Sequence, residues 1–185
     1  MTDNPMMQFS GKVWKYGDDI DTDVIFPGKY TYSLTDISKF AEHALEDLDP
    51  DFAKNVRPGD IVVGGKNFGC GSSREQAAVC FKMCGVKIIV AKSFARIFFR
   101  NCVNNGVLPI VCPEAVDAIE LGDTISVDLD KLTITRISTP STQFDFPPLS
   151  PSVMAIIDAG GLIPMLRKKL GTEHLPMPEI KFASE

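Results

Sequence analysis

Between residues 60 and 111 the apolar positions alternate between two textures. Three short continuous runs, Asp60-Ile61-Val62-Val63, Val86-Lys87-Ile88-Ile89-Val90-Ala91 and Leu108-Pro109-Ile110-Val111, have the length and β-branched content of buried strands. Between them, Ala77 to Cys84 and Phe94 to Val103 repeat apolar residues at helical spacing. The second of these ends at Asn104-Asn105-Gly106, residues that tolerate a left-handed cap. Strand, helix, strand, helix, strand predicts right-handed crossovers and a parallel sheet.

The flanks carry other patterns. Gly11 to Tyr16 alternates as a first strand. Thr35-Asp36 starts a helix whose Ile37, Phe40, Ala41, Ala44 and Leu45 share a face, with His43 beside it, and Asp49 to Val56 reads as a short capped helix with proline in its first turn. Pro113 to Leu121 is a small helix. Asp123 to Leu129, Leu132 to Thr135 and Thr142 to Phe146 then alternate polar and apolar residues as half-exposed antiparallel strands do, with Asp130-Lys131 as a hairpin turn. Helices resume through Val153 to Gly161 and Leu162 to Leu170. The chain is therefore expected to be one α/β domain over residues 1–170, followed by an extended tail over 171–185 that holds two prolines and no periodicity. No internal repeat or long linker divides it.

Composition narrows the function classes. With 44% hydrophobic residues the chain can bury a proper core, and a net charge of −5 without any basic block gives no electrostatic footprint for nucleic acid. No apolar run approaches the roughly 20 residues that span a bilayer, and Met1 to Met7 lacks the basic-then-apolar order of a signal peptide. Five cysteines, Cys70, Cys80, Cys84, Cys102 and Cys112, form an odd set without disulfide spacing, which points to a reducing, cytoplasmic setting. There is no CxxC, position 87 is Lys where a cluster motif would want a third Cys, and the two histidines stand far apart. No metal or other cofactor is expected in this chain.

The concentrated chemistry lies at residues 64–76, Gly-Gly-Lys-Asn-Phe-Gly-Cys-Gly-Ser-Ser-Arg-Glu-Gln, between the first buried strand and its helix. Four glycines in eight positions permit a tight turn and close approach of a ligand to the backbone, while two hydroxyls and one guanidinium stand at a helix start. Such parts suit a carboxylate or phosphate. A phosphate-binding P-loop is excluded because no Lys-Ser or Lys-Thr follows at the right distance, and a dinucleotide fingerprint fails because Arg74 occupies the third glycine position. A purely structural reading also stands: Ser73 with Gln76, or Ser72 with Glu75, has capping-box spacing. Upstream, Asp19, Asp21 and Asp23 imitate the first half of a calcium loop, but Val24 and Tyr30 stand where glycine and glutamate are required. Asx-turn chemistry, or one aspartate aimed at a substrate hydroxyl or an Arg, remain as alternatives.

Asn67-Phe68-Gly69-Cys70-Gly71-Ser72-Ser73-Arg74-Glu75-Gln76-Ala77, with Asp21-Thr22-Asp23-Val24-Ile25-Phe26-Pro27-Gly28 before it and Ala159-Gly160-Gly161-Leu162 after, resembles the small subunits of 3-isopropylmalate dehydratases. These are detached counterparts of the mobile swivel domain of aconitase. The resemblance runs from about Gly11 to Leu170, and it implies a swivelling β/β/α fold with one parallel and one antiparallel sheet. It further implies that Ser72 is the base that removes the substrate C–H proton, that Ser73 and Arg74 hold substrate carboxylates, and that Asp23 is the acidic residue of the site.

The same resemblance implies a hydro-lyase subunit of leucine biosynthesis that is inactive alone, because the [4Fe-4S] cluster belongs to a separate large subunit, in a heterodimer or heterotetramer. The connector after Pro27-Gly28 is expected to meet the variable substituent of the hydroxy-dicarboxylate substrate through Thr31, Tyr32 and Ser33. It holds no Arg, which argues against the extra carboxylate of homoaconitate, yet it is more polar than the usual isopropylmalate connector. Citramalate or dimethylmalate therefore stand as alternative substrates, and a non-catalytic carboxylate-binding domain as the alternative of a different class.

Overall fold

A computed structural model describes residues 8–138 and 142–176. Seven strands form one curled sheet in the order β4-β3-β2-β1-β5-β6-β7. The strands are β1 (Gln8–Lys15), β2 (Ile61–Gly64), β3 (Ile88–Ala91), β4 (Leu108–Val111), β5 (Thr124–Asp128), β6 (Thr133–Arg136) and β7 (Gln143–Asp145). The expected parallel and antiparallel parts are joined by β1, which divides its residues between them. Val13 to Lys15 pair in parallel with Ile61 to Val63, whereas Gln8 to Lys12 pair antiparallel with Asp128 to Thr124. β2, β3 and β4 continue the parallel side, and β5, β6 and β7 the antiparallel side.

Side chains alternate across the parallel strands and fill two cores. Val62, Ile89 and Ala91 face a phenylalanine-rich cluster that includes Phe26, Phe52, Phe68, Phe81 and Phe98. Ile61, Val63, Ile88 and Val90 face the other way, toward Ile110, Val116, Ile125, Val127 and Ile134. Two crossover helices, α3 (Glu75–Met83) and α4 (Arg96–Asn105), pack on the first face. α4 ends as expected, with Gly106 at φ 76°. The remaining α-helices among the described residues are α1 (Thr22–Ile25), α2 (Phe52–Asn55), α5 (Pro113–Ala118), α6 (Pro151–Asp158) and α7 (Leu162–Leu170).

Three local expectations are corrected. The segment expected to be an amphipathic α-helix after Asp36 is instead a 3₁₀ helix over Ile37–His43, capped by Asp36 accepting from Ser38 N. Its tighter winding leaves Ile37 half exposed while Phe40, Ala44 and Leu45 are buried. The first strand begins at Gln8 rather than Gly11, because residues 8–10 find partners on β5. The Ala159-Gly160-Gly161 stretch is the turn between α6 and α7. There a Cβ on Gly161 would sit 2.6 Å from Asn104 O and one on Gly106 2.6 Å from Gly160 C, so these glycines let two helical turns meet at backbone distance. The tail expected beyond residue 170 is described only as far as Pro176, and residues 177–185 and 1–7 lie outside the described residues.

Candidate active site

The glycine stretch leaves the carboxyl end of β2, the edge of a parallel sheet where ligands commonly bind. It is clasped along its length by the acidic loop that follows β1. Lys66 N donates to Asp18 Oδ1 (2.7 Å), Asn67 Nδ2 to Asp19 Oδ1 (2.8 Å), Gly69 N to Ile20 O (2.7 Å) and Thr22 N to Cys70 O (2.9 Å). The buried Thr22 hydroxyl then donates to Ser72 O at 2.9 Å. Asp21 caps α1 by accepting from Asp23 N at 2.7 Å. The aspartate run thus does both kinds of work considered for it: Asp18 and Asp21 accept from backbone N–H groups, Asp19 holds the Asn67 side chain, and Asp23 faces an arginine.

Gly69 and Gly71 turn the chain through left-handed conformations, φ 78° and 86°. Neither could carry a side chain, since a Cβ on Gly69 would strike Phe98 and one on Gly71 would strike the Asp21 carboxylate. The turn shifts the cap of α3 to Arg74, whose N–H donates to Ser72 O at 2.8 Å. Neither capping box is formed, because Ser72 and Ser73 lie outside the cap position. No side chain caps the first turn of α3, so its N–H groups are left without a side-chain acceptor just after the two serines in the chain.

Arg74 Nη1 lies 2.8 Å from Asp23 Oδ1 and donates to Thr31 Oγ1 at 2.9 Å. Its Nε and Nη2 carry no hydrogen bond among the described residues, and the side chain keeps 23% of its exposure. Gly28 makes room for this pair, as a Cβ there would fall 2.6 Å from Arg74 Nη1 and 2.8 Å from Asp23 Oδ1. Ser72 and Ser73 are exposed, and their hydroxyls have no partner among the described residues. Tyr32 stands 95% exposed at the tip of the connector, whereas Ser33 Oγ donates back to Lys29 O at 2.9 Å. Of the residues expected in the site, Asp23, Thr31 and Arg74 meet directly, Ser72 and Ser73 border them through the backbone, and Tyr32 and Ser33 make no hydrogen bond or ion pair with them among the described residues.

The arrangement offers a guanidinium edge, two free hydroxyls and a helix N-terminus on one exposed surface, a set matched to a small polycarboxylate. The aconitase C-terminal domain family matches residues 22–115, from α1 to the first residues of α5, and so contains all of these parts. The chain is 48% identical over 164 residues to the 3-isopropylmalate dehydratase small subunit of Heliobacterium modesticaldum, covering 89% of this chain and 98% of that one. It is 51% identical over 165 residues to the subunit of the same name from Caldicellulosiruptor saccharolyticus, covering 89% and 94%. The chain belongs to the family of 3-isopropylmalate dehydratase small subunits. The crystal structure of 3-isopropylmalate dehydratase from Methanocaldococcus jannaschii has the same fold, with a TM-score of 0.84 at 42% identity over 91% of this chain and 98% of that one.

An iron–sulfur cluster, which the wider aconitase family implies, needs converging thiolates. The cysteines of this family member do not provide them. Cys80 Sγ donates to Phe40 O, Cys84 Sγ to Ala41 O and Cys112 Sγ to Asp145 O, and burial pushes the Cys102 and Cys112 thiols up. Cys70 lies alone in the glycine turn, its thiol raised by burial and then by Asp21 and Asp19. Among the described residues no group of three or more His, Cys, Asp or Glu could hold a metal ion. No described helix is long and apolar enough to cross a membrane.

Sequence reasoning missed Thr22 and Gly28. Thr22 opens α1 and Gly28 opens a single 3₁₀ turn, and their roles exist only once these segments face the glycine turn. Membership of Asp21 to Gly28 in the resemblance was the one available signal.

Proposed function

We propose that this chain is the small subunit of a 3-isopropylmalate dehydratase, and that with a large subunit it interconverts 2- and 3-isopropylmalate by dehydration and rehydration in leucine biosynthesis. The observation that carries this reading is Arg74, held by Asp23 and Thr31 through one nitrogen while its Nε and Nη2 carry no hydrogen bond among the described residues, next in the chain to the exposed Ser72 and Ser73. A guanidinium fixed in this way is oriented before the substrate arrives, which lowers the ordering cost of binding a carboxylate.

In this reading Ser73 and Arg74 take the substrate carboxylates and Asp23 keeps Arg74 in place. Ser72, as an alkoxide, takes the proton from the carbon next to the hydroxyl-bearing one, and the electron pair of that C–H bond becomes the new double bond as hydroxide departs. Water then adds back with the opposite orientation and Ser72 returns the proton. A serine hydroxyl is a weak base, so its alkoxide needs the uncapped N–H groups of α3 and the nearby positive charge. Departure of the hydroxide calls for a Lewis acid, which a [4Fe-4S] cluster in the large subunit would supply. The cysteine placement supports assigning that cluster to the partner. Thr31, Tyr32 and Ser33 form the border toward the variable substituent.

The reading also takes residues 1–170 as one swivel domain with 171–185 as a tail. It places the enzyme in the cytoplasm, where five free cysteines would stay reduced. The test is reconstitution with a cluster-loaded large subunit followed by an assay against a panel of hydroxy-diacids. Preference for isopropylmalate supports the reading. Preference for citramalate or dimethylmalate would reassign the substrate, and turnover by this chain alone would overturn the two-subunit assignment.

A further inference from the structure

One carboxylate behind the connector gathers groups from two segments. Glu46 Oε2 accepts from Tyr30 Oη at 3.2 Å and lies 2.8 Å from His43 Nδ1, while Glu46 Oε1 pairs with Lys29 Nζ. The Tyr30 ring stacks on His43 with centroids 3.8 Å apart and planes 26° from parallel, and Lys29 Nζ lies 4.9 Å from the Tyr30 ring centroid on its face. Burial pushes the Glu46 carboxyl up, but the bonds from Lys29, His43 and Tyr30 outweigh it and hold the group below the ordinary carboxylate range.

The two braced residues in turn hold the connector. Lys29 O accepts from Ser33 Oγ, Tyr30 O accepts from Leu34 N at 3.1 Å, and Thr31, the next residue, is the partner of Arg74. A second observation points the same way. Glu46 follows Leu45, a fully buried residue in the left-handed region at φ 56°, anchored by its N–H on Ile25 O at 2.9 Å. A branched apolar residue in that conformation is strained, and it persists because the surrounding contacts fix it. The turn at Leu45 delivers the Glu46 carboxylate to Lys29, Tyr30 and His43.

We propose that Glu46 is a positioning residue for the substrate-facing connector: it locks Lys29, Tyr30 and His43 into a brace that sets Thr31 against Arg74 and thereby fixes the guanidinium for the substrate carboxylate. The proposal rests on the isopropylmalate reading for its kinetic consequence but not for the brace itself.

Two measurements test it on Glu46→Ala and Glu46→Gln. In the purified chain, hydrogen exchange at the Thr31 and Leu34 amides should rise about tenfold in Glu46→Ala, with α3 unchanged, since a local opening loses its restraint. In the enzyme reconstituted with its large subunit, KM for 2-isopropylmalate should rise about tenfold in Glu46→Ala with kcat within about twofold, because Arg74 loses orientation and not chemistry. Glu46→Gln keeps an acceptor for Tyr30 and should recover part of both effects. Unchanged exchange in Glu46→Ala overturns the brace. Raised exchange with unchanged KM overturns the positioning role, and so does a loss of activity that follows only the amount of folded subunit. Failure of the wild-type enzyme to turn over isopropylmalate would defeat the substrate reading, and the exchange result would still decide the brace.

Discussion

Asp23, on α1, and Arg74, at the cap of α3, meet at 2.8 Å, with the Asp23 side chain 47% exposed. An ion pair so open to solvent contributes little to folding, so its value is directional. Replacing Asp23 by Asn should change stability by less than about 1 kcal/mol in chemical denaturation. The same variant should lower kcat/KM by about 10²-fold in the reconstituted enzyme, because a freed guanidinium no longer presents its edge to the substrate.

Gly28→Ala separates space from backbone conformation. The new Cβ would crowd Arg74 Nη1 and Asp23 Oδ1, both far ends of flexible side chains, so the fold should survive with an unchanged melting temperature. Displacement of the guanidinium should raise KM by about tenfold, measured by steady-state kinetics.

Gly71→Ala fails for a different reason. The residue combines φ 86° with a would-be Cβ 2.1 Å from Asp21 Oδ2, and Asp21 caps α1. The substitution should cost about 1–3 kcal/mol and lower the melting temperature, with the cap of α1 disturbed as well.

The seam where β1 passes from its antiparallel to its parallel partner should be acid-sensitive. Asp123 O accepts from Val13 N, Asp123 Oδ2 accepts from Glu120 N, and its carboxylate meets Arg136, with Nη2 donating to Oδ1 at 2.9 Å and Nε 2.8 Å from Oδ2. Burial pushes this carboxyl up, but the Glu120 N–H, Arg136 and Lys15 outweigh it and hold it below its ordinary value of 3.8. A carboxyl lowered in the folded state binds fewer protons there than in the unfolded chain. Its stabilisation is therefore complete above the ordinary value and is lost as pH falls through the lower, folded one. Urea unfolding at a series of acid pH values should show that loss in the wild type, and Asp123→Asn should flatten it.

The parallel half of the fold was legible because Ile61 to Val63, Val86 to Ala91 and Leu108 to Val111 are continuous apolar runs that only a doubly covered sheet can bury. The antiparallel half followed from alternation in Asp123 to Phe146. What periodicity could not give was the sharing of β1, which depends on the tertiary pairing of residues 8–12 with β5 and 13–15 with β2, or the 3₁₀ winding at Ile37–His43. In the site, the types at Ser72, Ser73 and Arg74 announced an anion, whereas Asp23 entered through the family resemblance. The capping-box alternative is not realised because Gly69 and Gly71 move the cap to Arg74, a backbone effect that no residue count reveals. The clasp of Asp18, Asp19 and Thr22 on the glycine turn likewise joins two loops that carry no mutual pattern.

Ser72 as the base is the central claim, and the decisive measurement is solvent-deuterium incorporation into 2-isopropylmalate by the reconstituted Ser72→Ala enzyme. Wild type should exchange the abstracted proton with solvent, while Ser72→Ala should still bind substrate and exchange at least about 10³-fold more slowly. Exchange and turnover at the wild-type rate in Ser72→Ala would contradict the account and leave Ser72 as a backbone anchor for Thr22.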